Sequence, residues 1–258
     1  MVEEQVISSV HNPRIRQVIA LTQKASERRR TGLFVVEGRR EVERCVAAGY
    51  EVVEAYSLTS DSPPVGEERW RVTPEVYERI AYRGTTEGIV AVVRQRHARL
   101  SQLVLPAEGA LVVVVESVEK PGNIGAIMRS ADAAGAHALI VSDPHTDLYN
   151  PNLIRASVGT CFSVPTVACT SAEAIAYLRA HGVAILTAQL QDSRLYYDTD
   201  MRRATAIVLG TEATGLTSAW REAADAHIRI PMLGMADSLN VSVSAAVLLY
   251  EAVRQRGT

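Results

Sequence analysis

Three stretches in the C-terminal half of the chain carry polar side chains that a packed core would not select. They are Asn123-Ile-Gly-Ala-Ile-Met-Arg129, Leu209-Gly-Thr-Glu-Ala-Thr-Gly215, and Ile230-Pro-Met232 followed by Ser238-Leu-Asn-Val-Ser-Val-Ser244. Each joins an apolar run to a glycine or proline turn. Asn123 offers an amide that can cap a helix or meet a substrate. Arg129 lies six residues further on, nearly two helical turns, so both could project toward one cleft. Glu212 sits between Gly210 and Gly215. An acid there does not suit a phosphate cradle, which would want a lysine; it also suits the first turn of a helix. Gly210 leaves room for a ligand at a strand end. Ser238 or Asn240 can cap the last helix, and the small Ser242 and Ser244 would let that helix lie close to another backbone.

The elements that must position these residues can be read from periodicity. The apolar run 110–115 reads as a strand buried on both faces. Helix 122–134, strand 137–142, helix 170–181, strands 183–188 and 204–209, helix 216–224, strand 226–230 and helix 239–255 follow. Such alternation predicts an α/β domain with a mainly parallel sheet and helices on both faces. The second motif would then end a parallel strand, where α/β sheets bind ligands. Ahead of it, helix 13–31, strand 33–36, helix 39–48, strand 50–58, a helix from Pro74 and strand 88–93 make a smaller α/β unit. The expected division is an N-terminal domain 1–95, a linker 96–108 and a catalytic domain 109–258.

Composition narrows the chemistry. A hydrophobic content of 47% supports a packed core. No apolar run is long enough to span a bilayer, and the acidic start lacks the features of a secretory signal. Three scattered cysteines, Cys45, Cys161 and Cys169, suggest a reducing compartment and no disulfide framework. Six single histidines without ligand spacing argue against a protein-bound metal. The expectation is a cytoplasmic protein, off the membrane. Net charge is −2, but residues 11–44 hold nine basic and four acidic side chains. That surplus could face phosphates or be a solvated helix face; Arg28, Arg29, Arg30 and Arg39 are the candidates for contact with a phosphate backbone.

The three motifs, in this order and with these gaps, resemble those of the SpoU/TrmH branch of the SPOUT methyltransferases, over roughly residues 107–256. The resemblance implies transfer of a methyl group from S-adenosylmethionine to a ribose 2′-hydroxyl in RNA. It also implies a deep trefoil knot at the carboxyl end and a homodimer with the site near its interface. It carries reaction-centre roles to Asn123 and Arg129, with Glu212 and Asn240 beside them. It gives cofactor contacts to Gly210, Ile230 and Leu239, with Thr187, Ala188 and Ser238 as further candidates. Ser9-Val-His-Asn-Pro-Arg-Ile15, Arg29-Arg-Thr-Gly-Leu-Phe-Val-Val-Glu-Gly38 and Thr85-Thr-Glu-Gly-Ile-Val90 resemble an RNA-recognition domain found in one group of the family, shaped like a small ribosomal protein. Ribosomal RNA, most of all 23S, is therefore the expected substrate, with tRNA as the alternative. An oxidoreductase is disfavoured because strand 110–115 is not followed by Gly-x-Gly-x-x-Gly. A non-catalytic RNA-binding or ribosome-assembly protein of the same fold is disfavoured by the intact Asn123, Arg129, Glu212 and Asn240.

Overall fold

The computed structural model describes residues 6–59, 65–82, 88–211 and 214–257. The chain divides into two compact units, Met1–Arg96 with Asp147–Ser163, and His97–Thr146 with Val164–Thr258. The first unit is built on a five-stranded sheet. Its strands are β1 (Val6–Ile7), β2 (Leu33–Glu37), β3 (Val52–Ser57), β4 (Glu68–Val72) and β5 (Ile89–Arg94), in the order β1-β4-β3-β5-β2. β1, β4 and β3 run parallel; β5 is antiparallel to both β3 and β2. Helices α1 (Pro13–Gln23), α2 (Ala25–Thr31), α3 (Arg39–Ala47) and α4 (Pro74–Ile80) complete the run. Buried side chains of α1 and α4 pack with Tyr56, Val90 and Val92, whereas α3 packs with Phe34, Val36 and Val93.

The helix expected over 13–31 is broken at Lys24, where the backbone turns extended (φ −119°, ψ 114°). The carbonyls freed at the end of α1 are taken by a side chain. Arg28 is 2% exposed, and its Nη1 donates to the carbonyls of Leu21 and Thr22 at 2.5 and 3.2 Å. No glycine or proline marks the break, because a buried guanidinium causes it.

The second unit holds β6 (Leu111–Glu116), α5 (Pro121–Ala133) and β7 (Ala138–Ser142). The chain then gives α6 (Pro151–Ser157) to the first unit before β8 (Thr166–Cys169), α7 (Ser171–Ala180), β9 (Ala184–Ala188), β10 (Arg194–Leu195), β11 (Thr205–Leu209), α8 (Ser218–Ala223), β12 (Ala226–Arg229) and α9 (Val241–Arg256). Every pairing in the sheet, ordered β10-β12-β9-β11-β6-β7-β8, is parallel. Because side chains alternate along a strand, Val112, Val114, Ala206 and Val208 meet α7 and α8 through Ala174, Leu178 and Trp220. α5 packs along α9, which also reaches β11. The stretch expected as a linker is packed: Leu100, Leu103 and Leu105 lie on the α7–α8 core, and the Tyr177 hydroxyl donates to the Leu103 carbonyl at 2.9 Å. No helix among the described residues is long and apolar enough to cross a membrane.

Residues 147–163 interrupt the second unit in sequence and build part of the first. Asn150 caps α6, its Oδ1 accepting from the Asn152 N–H at 2.9 Å, with Pro151 in the first turn. Ile154 and Phe162 enter the Phe34–Cys45 core, and the Tyr149 ring lies 4.5 Å from that of Phe34. α6 ends at Val158, held in the left-handed region at φ 56°, where a β-branched residue costs roughly 1–2 kcal/mol. Arg44 Nη1 donates to the Val158 carbonyl at 2.5 Å. Gly159 packs so closely on Arg44 and Glu41 that an added Cβ would lie 3.0 Å from Arg44 Cδ. A linear division at residue 109 does not contain this exchange of chain.

Candidate active site

Every strand of the second sheet points the same way, so all carboxyl ends share one edge. The neighbours β12, β9, β11 and β6 end there together, with Val115 opposite Leu209, Thr187 opposite Val208, and Ala188 opposite Ile228. The loops leaving this edge carry the three motifs. The first and third are joined directly: Asn240 Nδ2 donates to Asn123 Oδ1 at 3.2 Å. Asn240 is the cap of α9, its Oδ1 accepting from the Ser242 N–H at 3.0 Å and from the Ser242 hydroxyl at 2.6 Å. Asn123 is the third residue of α5 and not its cap, which is Lys120; its amide is the group presented. Ser238 is exposed and Leu239 half-buried ahead of the cap.

Arg129 is exposed on α5. At about 100° per residue it stands about 120° around the helix from Asn123, and no contact joins it to Asn123 or Asn240 among the described residues. Glu212 lies outside the described residues.

The requirement for glycine at 210 comes from the loop itself. A Cβ there would fall onto the carbonyl group of Gly215 and lie 2.6 Å from the Leu216 nitrogen. Gly215, at φ 69°, donates its N–H back to the Thr211 carbonyl at 3.1 Å. The Thr211 hydroxyl accepts from the Thr214 N–H at 3.0 Å. Gly210 thus lets this loop close on its own backbone.

Thr187 is fully buried and its hydroxyl meets His227 Nδ1 at 2.6 Å. That commits its side chain to the sheet, so any ligand contact there must use main chain. Ala188, Gly210 and Ile230 are half-buried at the strand ends. Partly covered Ile230 and Leu239, with the strand-end main chain of Ala188 and Gly210, suit an uncharged heterocycle better than a phosphate chain. The donor set fits S-adenosylmethionine.

Sequence reasoning missed a buried carboxylate. Glu116 ends an otherwise apolar strand and is 2% exposed. Its Oε2 accepts from the Thr217 N–H at 2.9 Å and its Oε1 from the Thr217 hydroxyl at 2.7 Å. Ser171 Oγ lies 3.3 Å from Glu116 Oε1 and 2.6 Å from Asp143 Oδ2, and accepts from Trp220 Nε1 at 2.8 Å. Glu116 therefore ties the end of β6, just before the first motif, to the start of α8, just after the second. The signal was visible as a lone acid closing Leu-Val-Val-Val-Val. Nearby Cys169 has its thiol pushed up to about 11, by burial first and then by Glu173 and Asp143. Among the described residues no group of three or more His, Cys, Asp or Glu side chains could hold a metal ion.

Of the arginines expected to face RNA, Arg28 does not. Its Nε donates to Asp147 Oδ2 at 2.6 Å, and with the carbonyls of Leu21 and Thr22 this seals the guanidinium inside the first unit. Arg29 and Arg39 are exposed. Arg30 is exposed and paired with Glu27 one turn away, at 2.5 Å.

Residues 110–250 match the SpoU rRNA Methylase family, and residues 12–91 match an MRM3-like substrate binding domain. The chain is 34% identical to the 23S rRNA (uridine(2479)-2′-O)-methyltransferase of Streptomyces viridochromogenes, over 95% of this chain and 91% of that one. A crystal structure of an RNA 2′-O ribose methyltransferase superposes with a TM-score of 0.86 at 38% identity, covering 98% of this chain and 99% of the other. The SpoU methyltransferase AviRb from Streptomyces viridochromogenes, crystallised with its cofactor AdoMet, superposes with a TM-score of 0.87 at 32% identity, over 95% and 98% of the two chains.

Proposed function

The chain belongs to the SpoU rRNA Methylase family, and from that membership we infer that the loops at the sheet edge carry out methyl transfer to RNA. The protein is an S-adenosylmethionine-dependent RNA methyltransferase acting on a ribose 2′-hydroxyl. Its substrate is ribosomal RNA of the large subunit, met in the cytoplasm. The observation that carries this reading is the Asn240–Asn123 contact of 3.2 Å, which joins the first and third motifs at the edge where the second also ends.

S-adenosylmethionine, when bound, supplies a methyl group activated by its sulfonium. The chain's own residues hold and orient. Main chain at Ala188 and Gly210, with the apolar sides of Ile230 and Leu239, would grip the cofactor. The coupled amides of Asn123 and Asn240 fix the loop ends on which the ribose rests. Arg129 takes the ribose and a neighbouring RNA phosphate in its planar fork and stabilises charge growing on the 2′-oxygen. A guanidinium with a pKa above about 12 is a poor proton acceptor, so the hydroxyl proton passes to an RNA phosphate, to Glu212 or to water.

A second copy of the chain covers one face of this unit. Leu233 and Met235 are almost fully exposed, at 97% and 102%, and Val243 and Tyr250 are half-exposed two turns apart on α9. Large apolar side chains bared so close to a site support an interface here, and a homodimer packed through this face would bring the site to its edge.

Calorimetry on the full chain tests the cofactor reading. Binding of S-adenosylmethionine, weakened in Asn240→Ala and absent for NAD, is expected. Binding of NAD with no response to S-adenosylmethionine would overturn it.

A further inference from the structure

The first unit holds an aromatic ring and a cation that the methyl-transfer chemistry leaves unused. Tyr82 follows α4 and is 48% exposed. The Arg155 guanidinium lies over its ring, with Cζ 5.6 Å from the centroid. Both residues are anchored. The Tyr82 N–H donates to Glu37 Oε2 at 2.7 Å, which ties its main chain to the end of β2. Arg155 Nη2 donates to Asn152 Oδ1 at 2.8 Å within α6. That is the one hydrogen bond its guanidinium makes among the described residues, and its Nε is buried without a partner. The left-handed Val158 and the packed Gly159 hold the end of α6 against α3. Two exposed arginines, Arg39 and Arg40, open α3 directly after Glu37 and Gly38; Arg40 also pairs with Glu41 at 3.3 Å.

A half-exposed ring backed by a guanidinium is a platform for an unpaired base. Bases stack on aromatic faces, and arginines beside them take the phosphates. We propose that Tyr82 and Arg155 form an RNA-contacting site, in which an unpaired base of the substrate stacks on Tyr82 and the adjoining phosphate is bound by Arg155. The site is composite. Tyr82 lies within the stretch matching a substrate binding domain, 12–91, whereas Arg155 lies within the stretch matching the methylase, 110–250. The segment 147–163 that crosses into the first unit therefore completes an RNA surface that residues 12–91 lack alone. This inference rests on the reading of the chain as an RNA methyltransferase.

The test uses the full chain, a short single-stranded RNA containing 2-aminopurine, and the same RNA annealed to its complement. The single strand should bind more tightly than the duplex, with quenching of the 2-aminopurine. Tyr82→Ala should weaken single-strand binding about tenfold, and Tyr82→Phe should leave it nearly unchanged, because a phenyl face still stacks. Arg155→Gln should reduce the slope of log affinity against log salt by about one. All three variants should bind S-adenosylmethionine as the parent does. If the parent binds S-adenosylmethionine and RNA while Tyr82→Ala binds RNA equally well, or if duplex is preferred, this site is overturned and the methyltransferase reading stands. If the parent binds neither, both fall.

Discussion

Arg28 separates a structural arginine from a nucleic-acid contact, and its replacement gives a sharp test. Arg28→Ala removes one ion pair and two hydrogen bonds to main chain. It leaves the carbonyls of Leu21 and Thr22 without their donor and Asp147, 15% exposed, without its cation. Hydrogen bonds to charged groups contribute about 1.5–3 kcal/mol each, and removing one partner of a buried pair costs about 3–5 kcal/mol. Asp147 retains some solvent, so the lower end applies, and a loss of roughly 3 kcal/mol is expected. Arg28→Lys should recover little, since one ammonium cannot span three acceptors arranged for a planar fork. Arg29→Ala should fall within the usual surface range of about 0.5 kcal/mol. Urea unfolding followed by circular dichroism measures all three. Near-native stability of Arg28→Ala, with loss of RNA affinity instead, would refute the argument and return Arg28 to the RNA face.

Further outcomes follow from other parts of the molecule. Glu116→Gln should keep the fold but loosen the joint between the motif-one strand and α8, because an amide NH2 would face the Thr217 N–H or hydroxyl; S-adenosylmethionine affinity should drop severalfold by calorimetry, and Glu116→Ala should drop it further. Arg129→Ala should leave cofactor affinity intact and slow single-turnover methyl transfer about 100-fold or more, the effect of losing one oriented donor; near-normal turnover would move the reaction centre to Asn123, Glu212 and Asn240. The thiols of Cys45 and Cys161 are pushed up to about 12 from a usual 9.0, burial being the main cause in both. In the folded protein they should resist a thiol-reactive probe at pH 8 and react after unfolding. Neutral thiols are favoured by the fold, so this stability is fully present below about 9 and is lost as pH rises toward 12; a denaturation midpoint that rises across that window would contradict the burial.

Much of the second unit was legible because its signals are local. The all-apolar run 110–115 reads as a strand buried on both faces, and β6 covers Leu111–Glu116. The glycine and proline turns after it placed the three motifs at strand ends. Three features were not legible, each because its cause is a folded contact that periodicity does not carry. The break at Lys24 comes from Arg28 reaching back to α1 and across to Asp147. The seven residues of α6 are too few for a periodic signal, and the β2 residues they pack on lie more than a hundred residues earlier. Gly210 announced a tight approach, but the sequence could not say that the approaching group is the loop's own Gly215. Arg28 also shows the limit of reading charge runs: three consecutive arginines on one helix include a buried anchor, an exposed cation and a partner of Glu27.

The central claim is methyl transfer to a ribose 2′-hydroxyl. Incubating the purified chain with S-adenosylmethionine labelled in its methyl group and with unmodified ribosomal RNA, then hydrolysing the RNA with alkali, tests it directly. Label retained in an alkali-resistant dinucleotide, at one position of 23S RNA and absent with Arg129→Ala, is the predicted result. Label recovered on a base, or no transfer to any RNA, would contradict the account.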